Sequence, residues 1–420
     1  MASVKELQDK VLAELDDDEI VAFHRASVRI PSVTGNEKQY AEFLYGKMEE
    51  FGFDDRGMYD ARGPDRPNIW GLVRGSGGGP SLLLENHTDT VPVEGWEKKW
   101  KGTPQENPFS GEIVEGEIWG RGSLDNKAGM TSSMMVMKAL KKSGVTLKGD
   151  VVLSGTIDEE GASDDSSVWG MKAMAKEYNA GKVPRADFSF WTDCSDGLHI
   201  YVSQYALCVL EIKIKGETAY PGTPWLGTNA ITKAQRFLEL LDEYADQQWK
   251  EKYDPLQGRP NNVVMYINGG HPTQLAVPEE CTIVFLRWGI PGDEPQRMYR
   301  DVESILRYLA MSEGLDFEIK VRYPGDTGYG YSSVGVPEDH PAVKMLAKSL
   351  EIVTGKKDMV TGAPYVGETP WMISGMDLPT LYFGPGPLGW CHTLEERCPI
   401  GELLQHAKVL ALSVVEYCSG

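Results

Sequence analysis

The chain has 420 residues, more than one hydrophobic core normally supports, and the composition of an ordinary soluble globular protein, so two domains are expected. A formal charge of −20, from 62 acidic against 42 basic residues, argues against a nucleic-acid partner, which calls for clustered basic side chains. No apolar run approaches the roughly 20 residues that span a bilayer, and the opening MASVKELQDKVLAELDDDE lacks a basic then apolar leader, so a cytoplasmic protein without membrane contact is expected. Six cysteines (Cys194, Cys208, Cys281, Cys391, Cys398 and Cys418) without a CxxC pair read as reduced thiols.

In chain order, residues 5–56 read as helices around a turn at 31–36, where Asn36 can cap the next helix. Short apolar runs at 81–85, 151–157 and 188–192 then alternate with helical stretches such as 127–142. That alternation predicts an α/β fold with a largely parallel central sheet, helices on both faces. Beyond residue 207 the order is strand (208–215), helix (229–249), strand (262–268), strand (281–289), helix (294–311) and strand (316–323), a βαββαβ unit of ferredoxin-like type. A helix at 340–354, the run 378–384 and a final helix near 401–417 resume the α/β style, so a small domain is inserted in a larger one.

Five places carry chemistry. The strand Leu82-Leu83-Leu84-Glu85-Asn86-His87-Thr88-Asp89 ends in His-x-Asp, with His87 aimed at the crevice where open α/β sheets bind ligands and Asp89 able to fix its tautomer; a plain hydrogen-bonded pair is the competing reading. The turn Gly120-Arg121-Gly122-Ser123-Leu124-Asp125 lacks phosphate-loop spacing, and Asp125 either bridges two cations or caps the helix that follows. Asp158-Glu159-Glu160 closes an apolar strand, and three adjacent carboxylates repel one another unless a cation or proton relieves them, or unless the loop is simply solvated. Asp193 ends the run 188–192, and His392 follows the run 381–386. Together these deliver His, Asp, Glu, Asp and His to sheet edges, a ligand set suited to zinc or a neighbouring divalent metal.

With these motifs in place (LLLENHTDT, GRGSLDNKAGM, SGTIDEEGAS, FWTD, TPWLGTNAI and YFGPGPLGWCHTLEE), the sequence resembles, over nearly its whole length, the M20 family of metallopeptidases and deacylases. That family includes acetylornithine deacetylase, succinyl-diaminopimelate desuccinylase, aminoacylase and glutamate carboxypeptidase. The resemblance implies a catalytic domain at 1–206 and 325–420, a lid at 207–324, and a homodimer formed through that lid. It implies two zinc ions per chain, with cobalt or manganese as substitutes. Asp125 is then the bridging ligand, His87 and Asp193 hold one ion, Glu160 and His392 the other, Glu159 is the general base, and Asp89 orients His87. The expected reaction is hydrolysis of an N-acyl amino acid or related small amide; a dipeptidase or carboxypeptidase is the alternative, and a non-catalytic scaffold would have let the ligand set decay.

The resemblance also places Tyr220 where the family has a lid histidine that reaches across the dimer to the oxyanion. A phenol donates one hydrogen bond but carries no positive charge, and His271 is the other lid candidate. Arg287 matches an arginine that grips a substrate carboxylate, and Asn229 a lid asparagine near the substrate. Two stretches depart from the family: Gly-Gly-Thr-Asp-Ala-Arg appears as Val366-Gly367-Glu368-Thr369-Pro370-Trp371, and Leu275 replaces an asparagine. Both favour a neutral or basic group over an anionic acyl group such as succinyl.

Overall fold

The centre of the fold is built from the apolar runs that cannot face water on either side. The computed structural model describes residues 3–161 and 169–420, so residues 162 and 163 of the stretch SGTIDEEGAS lie outside the described residues. An eight-stranded sheet runs in the order Asp55–Asp60, Pro67–Val73, Val151–Thr156, Leu82–His87, Phe188–Trp191, Thr380–Tyr382, Ile200–Ser203, Val360–Gly362. The four strands from Val151–Thr156 to Thr380–Tyr382 are mutually parallel, in a register that pairs His87 with Thr156 and Glu85 with Trp191. Parallel pairing sets their carboxyl ends side by side along one edge, where loops must leave the sheet.

Alternation along each strand splits the core in two. Leu82, Leu84, Val151, Leu153, Phe188 and Phe190 pack with helices Lys38–Glu50, Lys127–Ser143, Pro341–Thr354 and Ile400–Cys418. Leu83, Val152 and Trp191 face the other way, against Met171 and Met174 of the helix Trp169–Asn179 and Met372. The fold is thus α/β with a mixed, mostly parallel sheet covered on both faces.

A second, antiparallel sheet has the order Asn261–Gly269, Glu280–Gly289, Ala206–Lys215, Asp316–Val321. Helices Ala230–Glu251 and Pro295–Glu313 cover one face, burying Cys208, Leu210, Ile212, Ile283 and Phe285 with Phe237, Val302 and Leu306. The βαββαβ order is the one expected. A small three-stranded sheet (Glu112–Val114, Glu117–Trp119, Arg397–Pro399) ties the segment after His392 to the segment before Asp125.

Two early expectations are corrected. Helix stops at Glu50, and Asp55 already begins an edge strand, paired with Leu72. Asn36 does not cap the following helix: Glu37 occupies the cap position without a side-chain cap bond, because its carboxylate is turned to the Gly35 amide and Arg66.

Candidate metal centre

The parallel register brings the five expected ligands together. His87, at the end of its strand, is fully buried, and its Nε2 lies 2.9 Å from Asp125 Oδ1. His392 Nε2 lies 3.1 Å from the other oxygen of Asp125 and 3.0 Å from Glu160 Oε2. Candidate ligand atoms of His87, Asp125 and Asp193 all fall within 4.8 Å of one another, as do those of Asp125, Glu160 and His392. Asp125 is therefore common to two triads of nitrogen and oxygen donors, one carboxylate oxygen towards each histidine. Glu159 belongs to neither triad.

Close backbone approach makes this possible. A Cβ on Gly129 would sit 1.6 Å from the Thr192 carbonyl oxygen, so only glycine lets the helix behind Asp125 press on the strand end that carries Asp193. Asn126 Nδ2 donates to the same carbonyl at 3.2 Å. Asp158 (φ 66°) and His392 (φ 61°) both hold left-handed backbone, which costs about 1–3 kcal/mol each and places that cost at the site.

A layer of buried charges fixes the ligands. Asp89 accepts from the amides of Glu159 and Glu160, each at 3.1 Å, and from the Thr34 hydroxyl at 2.9 Å. Its own carbonyl lies 3.1 Å from His87 Nδ1, with its carboxylate at 3.4 Å. Asp89 thus holds both the imidazole and the turn bearing the two glutamates.

Sequence reading missed three further members. Glu396 is buried, accepts from the amides of Leu124 (3.0 Å) and Asp125 (3.1 Å), and pairs with Arg121. Arg66 bonds Asp158 Oδ1 at 2.9 Å and Glu37 Oε2 at 3.0 Å, fixing the start of the acidic turn. Glu396 ends the stretch YFGPGPLGWCHTLEE, which was a signal; Glu37 and Arg66 had none.

Electrostatics explain why a cation fits. Burial, and next the charge of Asp125, push the carboxyls of Glu160 and Asp193 up to about 7, and burial holds Glu159 well above the carboxylate range. Hydrogen bonds donated to Asp125 and Glu160 raise His392 to about 11. His87 is lowered by burial yet held well above its usual value by Asp125 and Asp89. Four carboxylates crowd one place, and divalent cations would replace protons as the neutralising charge, leaving the imidazole nitrogens as ligands.

Beside this centre lies a cavity of about 220 Å³ whose walls include Glu159, Leu207, Leu286, Trp288, Tyr331 and Glu368. It spans from the large sheet to the face of the lid sheet opposite its helices.

The remaining expected residues stand apart from this cluster. Arg287 stands away from this cavity: strand alternation puts Leu286 and Trp288 on the cavity side and Arg287 on the helix side, where its guanidinium meets Tyr244 and lies 4.0 Å from Asp301. It is not among the residues that line the cavity. Asn229 caps the helix Ala230–Glu251, its Oδ1 accepting from Ile231 (2.9 Å) and Thr232 (3.2 Å). Tyr220 is 74 % exposed on a lid loop, and His271 lines a separate cavity of about 240 Å³, bonded to Thr273. Among the described residues, neither touches the five ligands.

Comparison with known proteins agrees with this geometry. The profile of peptidase family M20/M25/M40 matches residues 83–416. An N-formyl-4-amino-5-aminomethyl-2-methylpyrimidine deformylase of Halalkalibacterium halodurans is 25 % identical over 98 % of this chain and 97 % of its own length. An acetylornithine deacetylase of Myxococcus xanthus is 25 % identical over 96 % of each. An M20 family metallo-carboxypeptidase from Sulfolobus solfataricus shares the fold with a TM-score of 0.76 at 17 % identity, over 95 % of this chain and 99 % of that one. With the profile covering most of its length and both donor triads in place, the chain belongs to peptidase family M20/M25/M40, the metallohydrolases that act on amide and peptide C–N bonds.

Proposed function

We propose that this protein is a di-zinc deacylase that cleaves the amide bond of an N-acyl amino acid or a related small amide, with cobalt or manganese as working substitutes. The observation that carries the reading is Asp125 shared between two donor triads, beside a carboxylate, Glu159, that joins neither triad and lines a small cavity. His87 and Asp193 would hold one ion, Glu160 and His392 the other, and Asp125 both. When bound, the cation pair supplies charge that polarises the scissile carbonyl and acidifies a water.

The chain's own residues do the rest. Glu159 accepts the proton of the attacking water on a carboxylate oxygen and returns it to the amide nitrogen as the C–N bond breaks; the high proton affinity that burial gives it suits both transfers. Asp89 keeps His87 and the Glu159–Glu160 turn in place throughout. The small cavity and the likeness to a deformylase and a deacetylase favour a small acylated amine. The second reading, a dipeptidase or carboxypeptidase, uses the same centre and is favoured by the carboxypeptidase fold likeness.

We also assign residues 1–206 and 325–420 to the catalytic domain and 207–324 to a lid that pairs two copies. Six free cysteines suit a reducing cytoplasm, and no described helix is long and apolar enough to cross a membrane. The experiment is elemental analysis of protein prepared without chelator, followed by assay against N-formyl and N-acetyl amines, N-acyl amino acids and dipeptides. Two divalent metals per chain and turnover of acyl amines above dipeptides are expected. One metal or none in folded, metal-replete protein overturns the paired centre; turnover of dipeptides alone transfers the assignment to the second reading.

A further inference from the structure

Glu368 is the acid that stands in the stretch Val366–Trp371 where the resemblance leads one to expect a hydroxyl. It is 1 % exposed, and among the described residues neither of its carboxylate oxygens has a hydrogen-bond partner. It sits at the cap position of the short helix Thr369–Ile373 yet makes no cap bond with its side chain. Both it and Glu159 line the cavity beside the metal centre. A carboxyl group removed from water without partners is costly, so a fold that keeps one buried in the wall of a cavity leaves it a partner to find there. The walls around it narrow the choice: Leu207 and Leu286 exclude a strongly hydrated ion, while Trp288, Tyr323 and Tyr331 offer aromatic rings to a flat or cationic group.

We propose that Glu368 is a specificity-determining residue that accepts hydrogen bonds from a protonated amine or ring amino group on the amide substrate, so that the enzyme selects basic acyl amines and rejects acidic ones. This rests on the deacylase reading above and deepens it by naming the substrate class. Burial, and next the charge of Glu159, hold the Glu368 carboxyl well above the usual range, and a positive partner relieves both. An anionic group in the same place would meet Glu159 and Glu368 together.

The test compares matched probes: N-acetylornithine, N-acetylnorvaline and N-acetylglutamate, with the N-formyl amides of 2-aminobenzylamine and benzylamine. The wild type is expected to prefer the amino-bearing member of each set by about 10–100-fold in kcat/KM, the range of a charge-assisted hydrogen bond, with acetylglutamate slowest. Glu368→Gln should erase that preference by slowing the amino-bearing members, chiefly through KM, and should keep the wild-type melting temperature. Calorimetric titration with free ornithine and 2-aminobenzylamine reads the same contact without turnover, and binding should be lost in the variant. A wild type that hydrolyses the neutral probes with no preference, or a variant slowed equally on all of them, overturns the assignment while leaving the hydrolase reading standing. Loss of folding stability in Glu368→Gln would assign the residue a structural role instead. If no probe is hydrolysed but the free amines bind through Glu368, the deacylase reading fails and this contact survives; if neither happens, both fail.

Discussion

Glu159 and Glu160 are neighbours on one turn with their amides held by the same carboxylate, yet their side chains meet different surroundings: Glu160 lies against His392, and Glu159 faces the cavity. Division of labour follows. Glu159→Gln should lower kcat by about 10²–10⁴-fold, the usual share of a general base, while elemental analysis finds metal content nearly unchanged. Glu160→Gln should lose metal. Equal metal loss from both variants would show that the two carboxylates share one task. At this scale the sequence was legible where a polar residue closes an apolar run or follows a glycine turn, because chain order alone then fixes its place at the sheet edge. That covers His87, Asp125, Glu159, Glu160, Asp193 and His392. Glu396, Arg66 and Glu37 were not legible, because each acts on main-chain groups or charges that only folding brings near. Tyr220 is placed on an exposed loop, and among the described residues no contact gives it a task at the centre.

Among the helices, two buried histidines make folding sensitive to acid. His24, on the helix Asp17–Val28, lies 3.1 Å from Thr131; His406, on the helix Ile400–Cys418, lies 3.0 Å from the Phe383 carbonyl. Burial lowers both to about 4 from an ordinary 6.5. The unfolded chain therefore binds protons that the folded chain refuses between those values, so the stabilisation is full above pH 6.5 and is lost as pH falls towards 4. Each such proton contributes a slope approaching about 1.4 kcal/mol per pH unit. His406→Asn, which cannot titrate, should flatten the fall of melting temperature with pH across that window. Parallel curves for variant and wild type would mean that His406 is not the titrating group. The central strands were legible as elements because they are apolar throughout, whereas Asp55–Asp60 was not: an edge strand that reads Asp-Arg-Gly-Met-Tyr-Asp has neither an apolar run nor clean alternation. The side on which Arg287 lies was not legible for a related reason. The strand itself was evident, but which of its faces the helices cover is decided by tertiary packing.

Taken whole, the molecule leaves both edges of the lid sheet, Asn261–Gly269 and Asp316–Val321, unpaired among the described residues. The strand Asn261–Gly269 pairs on one side only and exposes Val263, Val264, Met265, Tyr266 and Ile267, with Trp225 and Leu226 also exposed on the lid. An exposed apolar edge strand invites a second copy. Sedimentation at micromolar concentration should give a dimer, and Met265→Lys with Ile267→Lys should give a folded monomer that keeps its metals. A fully active wild-type monomer would remove both the dimer and any task for Tyr220 across it. The cavity joins the two sheets: Glu159, the proposed base, follows a strand of the large one, and much of the apolar wall, Leu207, Leu286 and Trp288, belongs to the lid. Much of the wall that would shape substrate choice therefore lies on a stretch of chain separate from Glu159, with Glu368 as its part on the large domain. Substitutions in the lid strands can reshape what is accepted without disturbing the residues that break the bond, so a lineage can change diet while keeping its chemistry, and a deformylase, a deacetylase and a carboxypeptidase can stand as cousins on one scaffold.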